Sequence, residues 1–322
     1  MKAAIVTRFG SHWSIEIGEA PKPVPAAGEL LVRVRAATVN RTDCGELRHP
    51  LIERLITRGQ PRRTILGLDF AGEVEAVGDG VTAFAPGDRV FGMNPRSRPG
   101  AQADYICLPE SGAVAAIPAA IPFDQAPVCE GAYYASGTIN AFALGPGDEI
   151  LIYGASGAIG AAAVQLARDR GARVVAVVDG QHVELTRRLG ADRVIDRTTP
   201  EFTGMTERFG FVLDAVGKLP VRKWRRLLKP EGRFAVTDLG PWWQDAPFLL
   251  WSAIRRSPRV SVPLPARGSA PGFVRFLADR MAEGRFRAAV DRVYKLDEIA
   301  EAYRFVQTGQ KAGIVVIEIP AG

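Results

Sequence analysis

Cysteine is scarce in this chain: Cys44, Cys107 and Cys129 are the only three in 322 residues. Their wide spacing and odd number exclude a disulfide framework and fit a reducing compartment. Uninterrupted apolar runs are also missing, since none approaches the roughly 20 residues needed to cross a bilayer. The opening residues, MKAAIVTRFG, lack the apolar stretch and small-residue cleavage site of a secretory signal. These absences set the expectation of a cytoplasmic protein with no membrane partner. The formal charge of +6 is carried mostly by arginine, scattered apart from Arg62-Arg63, Lys223 to Arg226 and Arg255-Arg256. No stripe of basic and aromatic residues forms, so a nucleic-acid partner is not expected. The positive excess suits an anionic cofactor instead.

With 47% apolar and 24% charged residues the chain has the balance of a folded globular protein. Its length accommodates two domains. The first 110 or so residues read as short strands between Gly and Pro punctuation: Glu29 to Asn40, Asp69 to Gly78, and Ala103 to Pro109. From about Asp148 the texture changes. EILIYG (Glu149 to Gly154) is a nearly continuous apolar run, as in a parallel strand buried on both faces. A helical stretch to Gly171 follows, then RVVAVVD (Arg173 to Asp179), a second helix, and RVID (Arg193 to Asp196). Phe211 to Gly217, Arg233 to Gly240 and Arg259 to Leu264 supply strands four to six, with Pro263 placing the last at an edge. This alternation predicts an α/β fold with a doubly wound parallel Rossmann sheet. A helix at Gly272 to Gly284 and a terminal strand, GIVVIEI, are expected to return to the β-rich first domain.

The chemistry centres on YGASGAIGAAAVQLA, where Gly154, Gly157 and Gly160 lie between a predicted strand and a predicted helix. A tight turn needs glycine where a Cβ clashes, and phosphates must approach the backbone closely. The first helical turn then presents free N–H groups and a positive dipole end to a pyrophosphate. Glycine triplets are common in a chain with 34 glycines, and the plain alternative is an ordinary turn. The preceding buried strand, the small-residue helix and Asp179 on the next strand favour a dinucleotide site over that alternative. An acidic Asp179 can bind ribose hydroxyls, which suits NAD(H). Arg197, with Arg187 and Arg188 nearby, can receive a 2′-phosphate, which suits NADP(H). The sequence leaves the two open.

Several segments in order resemble the medium-chain dehydrogenase/reductases, in their zinc-free, quinone oxidoreductase-like (zeta-crystallin-like) branch. They are Gly28 to Asp43, Leu66 to Gly78, Pro86 to Gly92, Leu151 to Gly160, Leu189 to Asp196 and Asp214 to Gly217. The resemblance implies a discontinuous β-rich GroES-like catalytic domain (1–123 and 265–322) and a Rossmann domain (124–264). It also implies a homodimer paired through an edge strand, here RVSVPL. The cofactor set it implies is Gly154, Ala155, Ser156, Gly157, Ala158, Ile159, Gly160, Asp179, Arg197, Ala215, Val216, Gly217 and Leu239.

Zinc-dependent relatives carry Cys where this chain has Asn40 and His where it has Leu68, so only Cys129 matches a ligand position. One thiolate does not hold a catalytic zinc, which needs three protein ligands, and no metal is expected. Without that Lewis acid, reduction of a quinone or an α,β-unsaturated carbonyl is easier than alcohol oxidation. The resemblance places Asn40 towards nicotinamide and substrate, with Asp43 shaping its loop; both also suit a simple turn cap. Tyr133 and Tyr134 stand where relatives have a small hydroxyl residue, as candidate proton donors or as packing residues. Glu130 beside them is a candidate acid or base. Trp242, Trp243, Phe248 and Trp251 suit a substrate wall or an interface. Relatives often carry Gly-Lys before the terminal strand, where this chain has Gly313-Ile314, and Lys311 is the available replacement. The alternatives are an enoyl-thioester reductase and, from another class, a crystallin-like or RNA-binding protein with little catalysis.

Overall fold

The computed structural model describes residues 1–48, 64–94, 99–237, 250, 259–266 and 268–320. The chain forms two compact units. One comprises Met1–Glu130, Gly268–Gly284 and Val290–Gly322, and the other Gly131–Arg267 with Arg285–Ala289.

In the first unit, β1 (Lys2–Arg8) and β2 (Ser14–Glu19) form an antiparallel pair. A larger sheet is organised around β3 (Glu29–Val39), whose alternating apolar residues are buried almost throughout. On one side β3 pairs with β4 (Asp69–Val77), which continues to β5 (Arg89–Met93) and β7 (Val114–Ala116). The other side is shared by β6 (Tyr105–Pro109), against residues 29–33, and β15 (Ile314–Glu318), against residues 36–39. A parallel strand, β14 (Val290–Lys295), completes that end. The C-terminal segment thus joins the N-terminal segment in one sheet. Its helix Ile299–Thr308 sends Ile299, Tyr303 and Val306 into the same core as Leu30, Leu47 and Phe70, a spacing of three and four residues that sets one apolar face inward.

The second unit is built on six parallel strands: β8 (Glu149–Tyr153), β9 (Arg173–Val178), β10 (Arg193–Asp196), β11 (Phe209–Asp214), β12 (Leu228–Val236) and β13 (Val260–Ser261). Their spatial order is β10-β9-β8-β11-β12-β13. The order reverses between β8 and β11, which opens a ligand crevice at the carboxyl ends of these two strands. The apolar runs of β8 and β9 are buried because helices cover a parallel sheet on both faces.

Three expected boundaries moved. The fourth strand stops at Asp214, whose carboxylate accepts the N–H groups of Val216 (3.1 Å) and Leu219 (2.6 Å) and turns the chain away. Strand five begins at Leu228 rather than Arg233. Among the described residues strand six is an edge strand of two residues paired with β12; Pro263 beyond it offers no N–H to extend the ladder. Among the described residues no helix is long and apolar enough to cross a membrane.

Candidate active site

The glycine-rich turn follows β8 at the point of reversal. Gly154 adopts φ +75°, a left-handed conformation that favours glycine, and a Cβ there would meet Val216 Cγ1 at 2.7 Å. At Gly160 a Cβ would lie 2.2 Å from the Gly154 carbonyl and 2.7 Å from Ala155 Cα. Only glycine lets the helix Ala158–Asp169 start this close to the turn. Gly157 differs, since its Cβ would have only the Gly154 carbonyl nearby, at 3.7 Å. Gly157 is the N-cap residue and supplies no side-chain cap, so the N–H groups of Ala158, Ile159 and Gly160 start the helix without intrahelical partners. Ala155 is fully buried, and Ser156 lies in the turn between. Ala215 donates its N–H to the Tyr153 carbonyl at 3.0 Å. This bond brings the segment Ala215 to Gly217 beside the glycine turn.

Asp179 and Arg197 end adjacent parallel strands and form an ion pair. The pair is about half exposed, so its net worth is of order 0–1 kcal/mol. Asp179 raises the Arg197 pKa further, fixing its positive charge. Tyr133, on the helix Cys129–Phe142, donates its hydroxyl to the Ala266 carbonyl at 3.1 Å. Tyr134 is half-buried on the same helix. Leu239, Trp242, Trp243, Phe248 and Trp251 lie outside the described residues.

The first unit gathers a buried polar cluster around Asn40. The pairing of Ala37 with Phe70 sets Thr38 across from Asp69, so both side chains reach Asn40 where β3 ends. Asn40 Nδ2 donates to Thr38 Oγ1 at 2.9 Å and to Asp69 Oδ2 at 3.3 Å. Asp69 Oδ1 accepts the Glu130 N–H at 2.9 Å, and Thr38 Oγ1 donates to Oδ2 at 3.5 Å. Asp43, in the first turn of the helix Arg41–Arg48, accepts the N–H of Asn40 at 2.8 Å and of Gly67 at 3.1 Å. Asn40 and Asp43 are thus brought together, with Asp43 holding the loop backbone. Gln102 extends the network, donating to the Thr38 carbonyl at 3.0 Å and accepting from Tyr303 at 3.0 Å.

Burial, and then the neighbouring Glu130 carboxyl, push Asp69 well above the usual carboxylate range, while the Glu130 N–H and the Asn40 amide oppose them. Burial also raises the Cys129 thiol, with Asp69 adding to the effect. Neither Asp69 nor Thr38 was marked by the sequence as a partner of Asn40. The available signal was an acidic residue opening an otherwise apolar strand.

Lys311 is half-buried, and desolvation of its ammonium lowers its pKa to about 8 against the attraction of Glu130 and Asp291. The unfolded lysine titrates near 10.5, so the unfolded chain holds more protons between these values and stability rises with pH there. Burial raises the Cys44 thiol to about 12 and produces the opposite trend, so the comparison must be with a variant. Between about pH 7.5 and 9.5 the wild type is expected to gain roughly 2 °C relative to Lys311→Met in parallel melts. A constant difference across that range refutes the lysine burial.

Comparison with known proteins adds to this geometry. The family model for the alcohol dehydrogenase GroES-like domain matches residues 26–119, and that for zinc-binding dehydrogenase matches residues 189–317. A chloroplastic quinone-oxidoreductase homolog of Spinacia oleracea is 29% identical over 310 residues, covering 93% of this chain and 92% of that one. A trans-enoyl reductase of Aspergillus terreus is 28% identical over 322 residues, covering 90% of this chain and 86% of that one. The structure of the quinone oxidoreductase from Coxiella burnetii superposes with a TM-score of 0.83 at 22% identity, covering 99% of each chain. The chain carries an alcohol dehydrogenase GroES-like domain and a zinc-binding dehydrogenase domain and is a quinone oxidoreductase-like oxidoreductase.

Proposed function

We propose that the chain is a zinc-independent, NAD(P)H-dependent reductase of quinones or α,β-unsaturated carbonyl compounds. The observation that carries this reading is the glycine turn at the strand-order reversal, with three helix N–H groups open to an anion. These residues fit a pyrophosphate. The division of labour follows the expected domains, with residues 124–264 for the dinucleotide and the remainder for the acceptor.

Zinc does not fit the donors that occupy its ligand positions in relatives. Leu68 is apolar and buried, Asn40 spends its amide hydrogens on Thr38 and Asp69, and Cys129 is held as a thiol. Among the described residues no group of three or more His, Cys, Asp and Glu is arranged for a metal.

When bound, the reduced nicotinamide supplies a hydride to the acceptor. The chain's own tasks are orientation and exclusion of water. The N–H groups of residues 158–160 hold the pyrophosphate, while Val216 and the backbone of Ala215 and Gly217 border it. Asn40 serves the acceptor, and Asp43 holds its loop. Tyr133 carries less weight as a proton donor, because its hydroxyl hydrogen is engaged by Ala266.

The proposed dimer pairs two copies along the β13 edge, where Val262 and Leu264 leave apolar surface exposed. Three free thiols support a reducing, cytoplasmic setting. The trans-enoyl reductase relative favours an enoyl-thioester substrate as the second reading.

The Asp179–Arg197 pair supports acceptance of both cofactor forms. A weak, half-exposed pair gives way to a 2′-phosphate on Arg197 or to ribose hydroxyls on Asp179. Wild-type kcat/KM for NADH and NADPH is therefore expected within roughly tenfold, the span of such a pair. Asp179→Ser frees Arg197 and is expected to raise the NADPH/NADH ratio by about tenfold or more. Steady-state kinetics with both cofactors tests this, and an unchanged ratio removes Asp179 from cofactor choice.

The functional test follows oxidation of each reduced cofactor with a quinone, an enone, an alkenal and an enoyl thioester. Turnover with one acceptor class supports the reductase. Cofactor binding without turnover supports a binding protein.

A further inference from the structure

Asn40 is 2% exposed and Asp69 is fully buried. The amide nitrogen of Asn40 commits both hydrogens inward, to Thr38 Oγ1 and Asp69 Oδ2. Its Oδ1 accepts no hydrogen bond among the described residues. The amide therefore offers an acceptor and no donor.

An oxidised quinone or enone has only acceptor oxygens, so it gains nothing from Oδ1. A hydroquinone carries O–H donors and does. We propose that Asp69 is a positioning residue that holds the Asn40 amide with its nitrogen inward, so that Asn40 Oδ1 recognises the hydroxyl of a reduced, hydroquinone-type product. This rests on the quinone reductase reading above.

The geometry makes the orientation reversible by one atom. In Asp69→Asn the new side chain must keep its oxygen towards the Glu130 N–H, which otherwise loses its acceptor. Its nitrogen then faces Asn40, where a second donor is not tolerated. The Asn40 amide turns over to accept that hydrogen and presents its own N–H outward. Product recognition weakens, and a quinone oxygen gains a donor.

Two measurements test this. The first is the ratio of the hydroquinone product-inhibition constant to the quinone KM. Asp69→Asn is expected to raise it about tenfold, the worth of one hydrogen bond to a buried partner, and by less than about twofold in an Asn40→Ala background. Thr38→Val removes one acceptor but leaves Asp69 to hold the amide nitrogen, and is expected to move the ratio less than Asp69→Asn does. Loss of kcat in both backgrounds with an unchanged ratio marks Asp69 as merely structural and overturns the proposal.

The second measurement needs no turnover. The Asn40 side-chain amide resonance, identified by its absence in Asn40→Ala, is expected to be protected from solvent exchange in the wild type. It is expected to lose that protection in Asp69→Asn. Free exchange in the wild type overturns the proposal even if no variant folds. Absence of quinone turnover with a protected amide refutes the functional reading and the product role, and retains only the positioning.

Discussion

Gly157→Val is expected to leave the fold intact while weakening NADH and NADPH binding by about 30-fold or more, the scale of two or three lost charge-assisted hydrogen bonds. The free protein has room for the new side chain. Gly157 is extended, at φ −73° and ψ 170°, and a Cβ approaches nothing closer than the Gly154 carbonyl at 3.7 Å. The added methyl groups instead fill the space from which a pyrophosphate reaches the N–H groups of residues 158–160. Gly160→Ala is the instructive partner. Its Cβ would sit 2.2 Å from the Gly154 carbonyl and 2.7 Å from Ala155 Cα, and both neighbours are backbone. The turn must shift, at a cost of about 1–3 kcal/mol. Isothermal titration and thermal melts together separate the two: both variants lose cofactor, and only Gly160→Ala loses stability. Equal binding by Gly157→Val and wild type means the glycine turn does not hold the phosphates.

Asp43→Ala is expected to destabilise the first unit by about 3 kcal/mol. The carboxylate is fully buried and accepts two backbone N–H groups, those of Asn40 and Gly67. Alanine strands both donors away from water. Asp43→Asn keeps one acceptor oxygen and is expected to lose about half as much. In a chain of this length 3 kcal/mol corresponds to roughly 5 °C in Tm. Denaturant unfolding of the three proteins gives the comparison, and an unperturbed Asp43→Ala reduces Asp43 to an incidental turn residue.

The Rossmann half was largely legible because its physics is local. A parallel strand buried on both faces must be a continuous apolar run, as EILIY and RVVAVV are. A tight strand-to-helix turn must place glycines where a Cβ collides, as Gly154 and Gly160 do. Strand ends were less legible. The carboxylate of Asp214 stops β11 by capturing two N–H groups, a side-chain event that no apolar pattern carries.

The candidate site was legible only in part. Asn40 and Asp43 stand three residues apart and share one loop, so their partnership is readable. Asp69 and Thr38 meet through strand register, 31 residues apart, and Glu130 joins them from the start of a helix 61 residues beyond Asp69. Asp179 and Arg197 pointed to different cofactors when read singly. The parallel pairing of Val178 with Asp196 brings them together, and the useful quantity becomes the pair.

Metal-stripped protein with a reduced nicotinamide cofactor and a quinone tests the zinc-independent reduction. Cofactor oxidation is expected at the same rate before and after chelation, and is expected to be lost in Gly157→Val. Activity that vanishes on chelation and returns with zinc contradicts the assignment of Asn40, Leu68 and Cys129 as non-ligands. Absence of cofactor binding by the intact protein contradicts a dinucleotide site at the glycine turn.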